Sequence, residues 1–140
     1  MEDLVRILNE HEAVRRRLET MRELLYDNSY PAPPEQEQAV RDLIEWMRQH
    51  VLPHAEEEET TLFANFDAPG SLADTAAHMT VQHQQLRRYV QQLTDLLEYG
   101  GEQSAQRWDW VRMVAAQMEM LLSLHMQEEE SLYAWISSGR

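Results

Sequence analysis

Four long stretches of this chain carry apolar residues at spacings that alternate between three and four. Residues so spaced share one face of an α-helix, and good helix formers such as Leu, Met, Ala, Glu, Gln and Arg fill the stretches. Proline- and glycine-rich breaks at 27–35, 66–71 and 99–102 separate segments 3–26, 35–64, 71–99 and 103–136. Short connections between amphipathic helices predict an all-α fold, an antiparallel up-down-up-down four-helix bundle, in a single domain spanning residues 1–140.

The apolar stripes identify the expected core, because each helix of a bundle buries its apolar face against the other helices. They comprise Leu4, Ile7, Val14, Leu18, Met21 and Leu25; Val40, Ile44, Met47 and Val51; Leu72, Ala76, Met79, Leu86, Val90, Leu93 and Leu97; and Trp108, Val111, Ala115, Met118, Leu122, Leu132 and Ile136. Pro53 interrupts the second segment. We expect a kink there that does not end the helix, because the apolar pattern resumes beyond it.

Charge and composition exclude several classes of function. The net charge is −13, from 25 acids and 12 bases, so we expect neither nucleic acid nor a membrane as a partner. The absence of cysteine excludes disulfides, thiolate metal sites and cysteine nucleophiles. No segment has the length and apolarity of a membrane span, and the N-terminal segment does not resemble a secretory signal. We therefore expect a cytoplasmic protein.

Polar residues fill the gaps in the stripes. The stripe positions in question hold four of the six histidines and two glutamates: His11, His54, Glu58, His83, His125 and Glu129. Each glutamate follows a histidine by four residues, so the two side chains lie one above the other on a helix face. At about 1.5 Å per residue, all six lie roughly 9–18 Å from the same end of an antiparallel bundle, in one layer.

A layer of six polar groups in a core needs a compensating positive charge, since each would otherwise cost several kcal/mol to bury. No basic residue occupies a matching stripe position. We therefore predict that these six residues are metal ligands. Six side chains are too many for one tetrahedral ion and suit two adjacent ions with bridging carboxylates. Nitrogen and oxygen donors favour iron, with manganese the second choice.

The other histidines and the other acids of the glutamate runs are interpreted mainly as surface residues. His50 and His78 are expected to be partly exposed surface residues, although either could supply a further nitrogen ligand. The remaining acids of the two glutamate runs fall off the stripes and are expected to lie mostly toward solvent as ordinary surface charge: Glu56, Glu57, Glu59, Glu128 and Glu130.

Taken together, these motifs resemble the hemerythrin-like, or HHE cation-binding, family over essentially the whole chain. The resemblance rests on "NEHEAVRRRLETM" around His11, "HAEEEETTLF" with His54 and Glu58, "QHQQLRRYV" with His83, and "HMQEEESLY" with His125 and Glu129. It implies a non-haem centre of two iron ions (Fe²⁺/Fe³⁺), bridged by two carboxylates and by a solvent-derived oxo or hydroxo group. Members of this family bind oxygen reversibly, sense oxygen or redox state, handle nitric oxide or peroxide, or take part in iron homeostasis.

The chain departs from the oxygen-carrying members of that family. Those carriers have a histidine pair four apart on the third helix, whereas Met79 and Arg87 flank His83 at that spacing here. Either His50 or His78 supplies the fifth nitrogen, or one iron has an additional open position, which would favour reactivity. The carriers also place the acid of the fourth helix five residues after the histidine, which would be Glu130, whereas the apolar stripe selects Glu129.

The expected function is therefore the binding or sensing of a small ligand such as O2, NO or peroxide, or a role in iron and redox homeostasis. A di-iron enzyme that consumes peroxide or nitric oxide is the first alternative, so catalytic activity stays open. A metal-free helical interaction module is the second. Neither a protein partner nor an oligomeric state follows from the sequence.

Overall fold

The computed structural model of the protein describes residues 2–25, 34–63, 71–98 and 105–138 of the 140-residue chain. Five α-helices occur in these ranges: α1 (Glu2–Leu25), α2 (Pro34–Trp46), α3 (Leu52–Glu57), α4 (Ser71–Glu98) and α5 (Ala105–Ser137). The described ranges contain no β-strand, so the prediction of an all-helical chain is confirmed. None of the helices in these ranges is long and apolar enough to cross a membrane.

The second predicted segment is one helical stretch that changes its type along its length. Two π-helical segments, Met47–Val51 and Glu58–Phe63, follow α2 and α3 respectively. Pro53 lies in the first turn of α3, directly after the first π-helical segment. The chain thus accommodates Pro53 where a π-helical segment passes into an α-helix. Such π segments are rare and frequently lie at functional sites.

Side chains from all four predicted segments meet in one core. Most of the predicted stripe residues are buried, and Ile7, Val40, Met47, Met79, Leu86, Leu93, Val111, Ala115 and Met118 are fully inaccessible. Leu4, Leu25 and Val51 are half-buried. Ile136 is exposed, contrary to expectation, because it lies in the last turn of α5. The side chain of Leu72 lies outside the described residues.

The helices contact one another in a fixed set of pairs. Helix α1 packs against α2 and α5, and α4 packs against α2, α3 and α5. Side-chain hydrogen bonds join Arg22 to Glu119 between α1 and α5, and Arg48 to Thr94 across the interface with α4. This packing brings the early turns of α1, the middle of α4, the late turns of α5 and the end of α3 to one region of the core.

Candidate metal centre

All six residues that the sequence predicts as ligands come together in that region. His11, Glu58, His83, His125 and Glu129 are buried. The side chain of His54 is 28% exposed, so it lies at the edge of the cluster rather than in the core. The π-helical segment Glu58–Phe63 begins at Glu58, directly after α3 has positioned His54.

The carboxylates of Glu58 and Glu129 lie between two pairs of histidines. We name His11 and His54 the first pair, and His83 and His125 the second pair. Oε1 of Glu129 lies 3.2 Å from Nε2 of His11 and 3.7 Å from Nε2 of His54. Oε2 of Glu129 lies 3.0 Å from Nε2 of His125. Each oxygen of Glu129 therefore faces a different histidine pair.

The two oxygens of Glu58 also face different histidine pairs. Its Oε2 lies 3.7 Å from Nε2 of His54, and its Oε1 lies 3.5 Å from Nε2 of His83. Both carboxylates thus have one oxygen beside a histidine of the first pair and the other oxygen beside a histidine of the second pair. Among the described residues, one ligand atom from each of Glu58, His83, His125 and Glu129 lies within 4.8 Å of the others, a grouping that could hold a metal ion.

Three of the histidines are oriented by hydrogen bonds at their outward-facing nitrogens. Nδ1 of His11 donates to Glu130 at 2.7 Å, and Nδ1 of His83 donates to Glu59 at 3.3 Å. Nδ1 of His125 donates to the amide oxygen of Gln82 at 2.7 Å. A neutral imidazole that donates through Nδ1 keeps its lone pair on Nε2. The metal-binding lone pairs of these rings therefore point into the cluster.

This arrangement fits a cation better than a set of internal hydrogen bonds. Nε2 of His83 lies 3.1 Å from Nε2 of His125, so two lone pairs converge unless a proton or a metal ion lies between them. Among the described residues, Nε2 of His54 and Oε1 of Glu58 are buried atoms with no hydrogen-bond partner. A buried polar atom without a partner is costly, and a divalent cation beside each atom would satisfy it.

The glutamates and histidines of the cluster shift one another's pKa values strongly. Burial opposes ionisation of Glu129, yet hydrogen bonds from His11 and His125 and the nearby ring of His54 hold its pKa far below the ordinary value. The carboxylate of Glu129 also raises the pKa of His54 to about 9. Burial lowers the pKa of His11, but Glu129 and Glu130 outweigh it and produce a net rise. Metal binding must displace the protons on these nitrogens.

Glu59 and Glu130 are not the ordinary surface charges that the sequence predicts. Their side chains are 20% and 23% exposed, and each accepts a hydrogen bond from a histidine of the cluster. Each also pairs with an arginine, which together with the histidine holds the pKa of the glutamate below its usual value although burial opposes this. The sequence pattern missed them because a carboxylate one position beyond a stripe can still reach the neighbouring helix. Glu56 and Glu57 are exposed, as expected.

Two further residues of the site were also missed. Gln82 is buried beside His125, and its amide nitrogen donates to Glu128 at 3.3 Å, which fixes the orientation of the amide. Tyr133 is buried, and its hydroxyl donates to Oε2 of Glu58 at 3.1 Å. Burial and the charge of Glu58 raise the pKa of Tyr133, so the phenol keeps its proton. A glutamine and a tyrosine carry no distinctive spacing signal.

The two remaining histidines do not join the cluster. The side chain of His78 is 57% exposed and lies 3.2 Å from Glu128 at the surface. His50 is exposed and packs against the ring of Trp46. His50 does, however, line the same cavity as the cluster. This cavity of about 550 Å³ is bordered by α1, the segment Met47–Val51 and α3, and His54 and Glu58 form part of its wall.

Comparison with known protein families gives one finding. The family described as "Hemerythrin HHE cation binding domain" matches residues 2–136 of the chain. No curated protein and no solved structure gives a significant match.

Proposed function

This chain belongs to the hemerythrin HHE cation-binding domain family, and from that membership we propose that its buried cluster of histidines and glutamates holds two adjacent iron ions. The first pair, His11 and His54, would hold one ion, and the second pair, His83 and His125, the other. Glu58 and Glu129 would bridge the two. Manganese is the alternative metal, since it also accepts nitrogen and oxygen donors in helical bundles.

The observation that carries this proposal is that the two oxygens of each buried carboxylate face different histidine pairs. Glu58 and Glu129 each direct one oxygen to the first histidine pair and the other oxygen to the second pair. A carboxylate shared in this way is the expected bridge between two metal ions in a bundle core. A single ion at the second histidine pair would engage only one oxygen of each carboxylate.

We infer a matching arrangement of the helices, an antiparallel up-down-up-down four-helix bundle in a single domain spanning residues 1–140. The support comes from two contacts along the interface between α1 and α5. Between α1 and α5, His11 meets Glu129 whereas Arg22, eleven positions later, meets Glu119, ten positions earlier. Later residues of α1 thus meet earlier residues of α5, as they do when two packed helices run antiparallel.

The iron pair would supply electrons and an open binding position to a small ligand such as O2 or NO. The residues of the chain hold and shield that position. Leu86, Leu122 and Met126 line the cavity beside the cluster and limit the access of water. The hydroxyl of Tyr133 holds the Glu58 carboxylate in place. We infer that the protein is cytoplasmic and binds or senses O2, NO or peroxide, or takes part in iron and redox homeostasis.

The test is an anaerobic titration of the metal-free protein with Fe²⁺, followed by exposure to one equivalent of O2 or NO. We expect two ions per chain and an optical change that saturates at a fixed ratio of ligand to protein. The proposal would be contradicted if the protein bound no metal and if His54→Ala and Glu58→Ala left its thermal stability unchanged. Those results would instead support a metal-free interaction module.

A di-iron enzyme that consumes peroxide or nitric oxide is the second candidate. Two observations favour it. Only four histidines face the cluster, because His50 and His78 lie apart from it, and the cavity beside His54 is larger than a diatomic ligand requires. Sustained consumption of peroxide or NO by the iron-loaded protein, far beyond one equivalent, would identify an enzyme. Uptake that stops at a stoichiometric limit would identify a binding protein.

A further inference from the structure

Short motifs recur on alternating helical segments around the cluster. A histidine followed four positions later by an arginine occurs on α1 (His11 and Arg15) and on α4 (His83 and Arg87). A histidine followed four positions later by two glutamates occurs in the second segment (His54, Glu58 and Glu59) and on α5 (His125, Glu129 and Glu130). The second glutamate and the arginine of these motifs have no place among the six metal ligands.

On the side of α1, these extra residues meet. Glu130 of α5 accepts a hydrogen bond from Nδ1 of His11 at 2.7 Å and another from Arg15 at 2.5 Å. The opposite ring nitrogen of His11, Nε2, faces Glu129. We name Arg15, Glu130 and His11 the α1 clamp. It joins a partly exposed arginine, through a carboxylate, to a buried ring that belongs to the first histidine pair.

On the side of α4, the same three residue types make the same contacts. Glu59 accepts a hydrogen bond from Nδ1 of His83 at 3.3 Å. Two nitrogens of Arg87 donate to the two carboxylate oxygens of Glu59 at 3.2 and 2.8 Å. Nε2 of His83 faces Glu58. We name Arg87, Glu59 and His83 the α4 clamp, which holds a ring of the second histidine pair.

These arrangements differ from ordinary surface ion pairs. Arg16 and Glu12 also form an ion pair on α1, but their side chains are 78% and 57% exposed and neither contacts the cluster. In contrast, the clamp carboxylates of Glu59 and Glu130 are only 20% and 23% exposed, and each connects its arginine to a ring within the cluster. The clamps also cross between helices, whereas Arg16 and Glu12 lie one turn apart on the same helix.

We propose that the α1 clamp and the α4 clamp are matched positioning devices, one for each metal position. This rests on the metal centre proposed above. In each clamp the carboxylate fixes the tautomer and the rotation of its histidine, so that the Nε2 lone pair points to one metal position and the ring becomes a stronger donor. The arginine holds the carboxylate in place and limits how much negative charge reaches the ring.

The test compares variants that remove one carboxylate at a time, with Co²⁺ as the probe metal because its visible spectrum reports the ligand set. Glu130→Ala and Glu59→Ala each remove a clamp acceptor, and the double variant removes both. Glu12→Ala is the matched control, since it removes an exposed carboxylate paired with Arg16. Glu130→Gln keeps an acceptor oxygen without the charge and serves as the conservative variant.

Wild-type protein is expected to bind two equivalents of Co²⁺. Each single alanine variant should bind one of the two equivalents about 10–100-fold more weakly, with a changed visible spectrum for that ion alone. The double variant should weaken both equivalents, Glu130→Gln should recover part of the affinity, and Glu12→Ala should match wild type. Far-UV circular dichroism checks the fold. If Glu130→Ala does not fold, Arg15→Met tests the same clamp through a residue that is 41% exposed.

The clamp proposal is overturned if wild type binds two equivalents and the single alanine variants bind both as tightly as Glu12→Ala does. It is also overturned if the variants lower only the stability of the metal-free protein and leave both affinities unchanged, since the clamp residues would then be merely structural. Wild-type protein that takes up no Co²⁺ would contradict the metal centre itself, which is a different outcome.

Discussion

Glu128, Glu129 and Glu130 are adjacent and chemically identical, yet each makes a different contact. Glu128 binds His78 and Gln82 near the surface, Glu129 faces three histidines of the cluster, and Glu130 lies between His11 and Arg15. Successive residues of an α-helix point about 100° apart, so the three carboxylates are directed to different partners. The direction of each side chain therefore decides its role.

Glu129→Gln is expected to abolish the binding of the metal pair, because the amide offers only one oxygen and no negative charge to bridge two ions. Elemental analysis should find the metal content falling from about two ions per chain to one or none. Glu128→Gln is the matched control, since it changes the same residue type one position away and should retain both ions. Equal metal content in the two variants would argue against a bridging role for Glu129.

Tyr133→Phe is expected to destabilise the metal-free protein by about 1–3 kcal/mol, because the buried carboxylate of Glu58 loses a hydrogen bond from the hydroxyl. The measurement is the free energy of unfolding from urea denaturation. Tyr89→Phe, which removes the hydroxyl of a partly buried tyrosine on α4, is the control and should change stability by less than about 0.5 kcal/mol. Comparable losses in both variants would show that the contact with Glu58 contributes nothing specific.

At this scale the sequence identified the six residues that converge, because apolar periodicity reports which positions face inward. It could not identify Gln82 or Tyr133, since their contacts depend on how two helices are rotated against each other. Glu59 and Glu130 gave a signal that periodicity alone overlooks. Their double-glutamate motif and the histidine–arginine motif each occur twice, and a search for short repeats would have found the pairs.

At the scale of the helical elements, the second segment carries the greatest departure from regular geometry. Its apolar spacing predicted a helix through Pro53, and the structure has two π-helical segments within that stretch. Met47, Val51 and Ala55 follow one another at intervals of four and turn inward to different extents. Periodicity averaged over a long segment cannot detect this change, because a π segment shifts the inward face by only part of a turn.

Helix α5 offers a direct test of which face is buried. Met118 is fully buried, whereas Met120, two residues later, is 72% exposed. Met118→Ala is expected to lower the free energy of unfolding by about 2–5 kcal/mol, because it leaves a cavity in the core. Met120→Ala should change it by less than about 0.5 kcal/mol. Chemical denaturation of both variants is the measurement, and similar losses would mean that the face assignment is wrong.

At the scale of the whole molecule, the candidate metal centre connects all four helical segments. His11 comes from α1, His54 and Glu58 from the second segment, His83 from α4, and His125 and Glu129 from α5. A pair of ions held together by ligands from every segment binds only the folded chain, so its binding free energy adds to the stability of the fold. The family match over residues 2–136 agrees with a centre that needs nearly the whole chain.

Removal of the metal should therefore lower the thermal stability of the protein. Each ion that is present at 100 times its dissociation constant contributes about 2.7 kcal/mol to the free energy of unfolding. Differential scanning calorimetry before and after treatment with EDTA should record a lower melting temperature, restored by Fe²⁺ but not by Mg²⁺, which avoids histidine ligands. The variant that combines His54→Ala and Glu58→Ala should melt at the same temperature with and without EDTA.

The most direct measurement of the central claim is the metal stoichiometry of the metal-free protein after anaerobic titration with Fe²⁺, determined by elemental analysis after removal of unbound metal. Two ions per chain in the wild type, with loss of the pair in Glu129→Gln, is the predicted result. Wild-type protein that retains no iron, or that retains iron equally in Glu129→Gln, would contradict a metal pair held between the two bridging carboxylates.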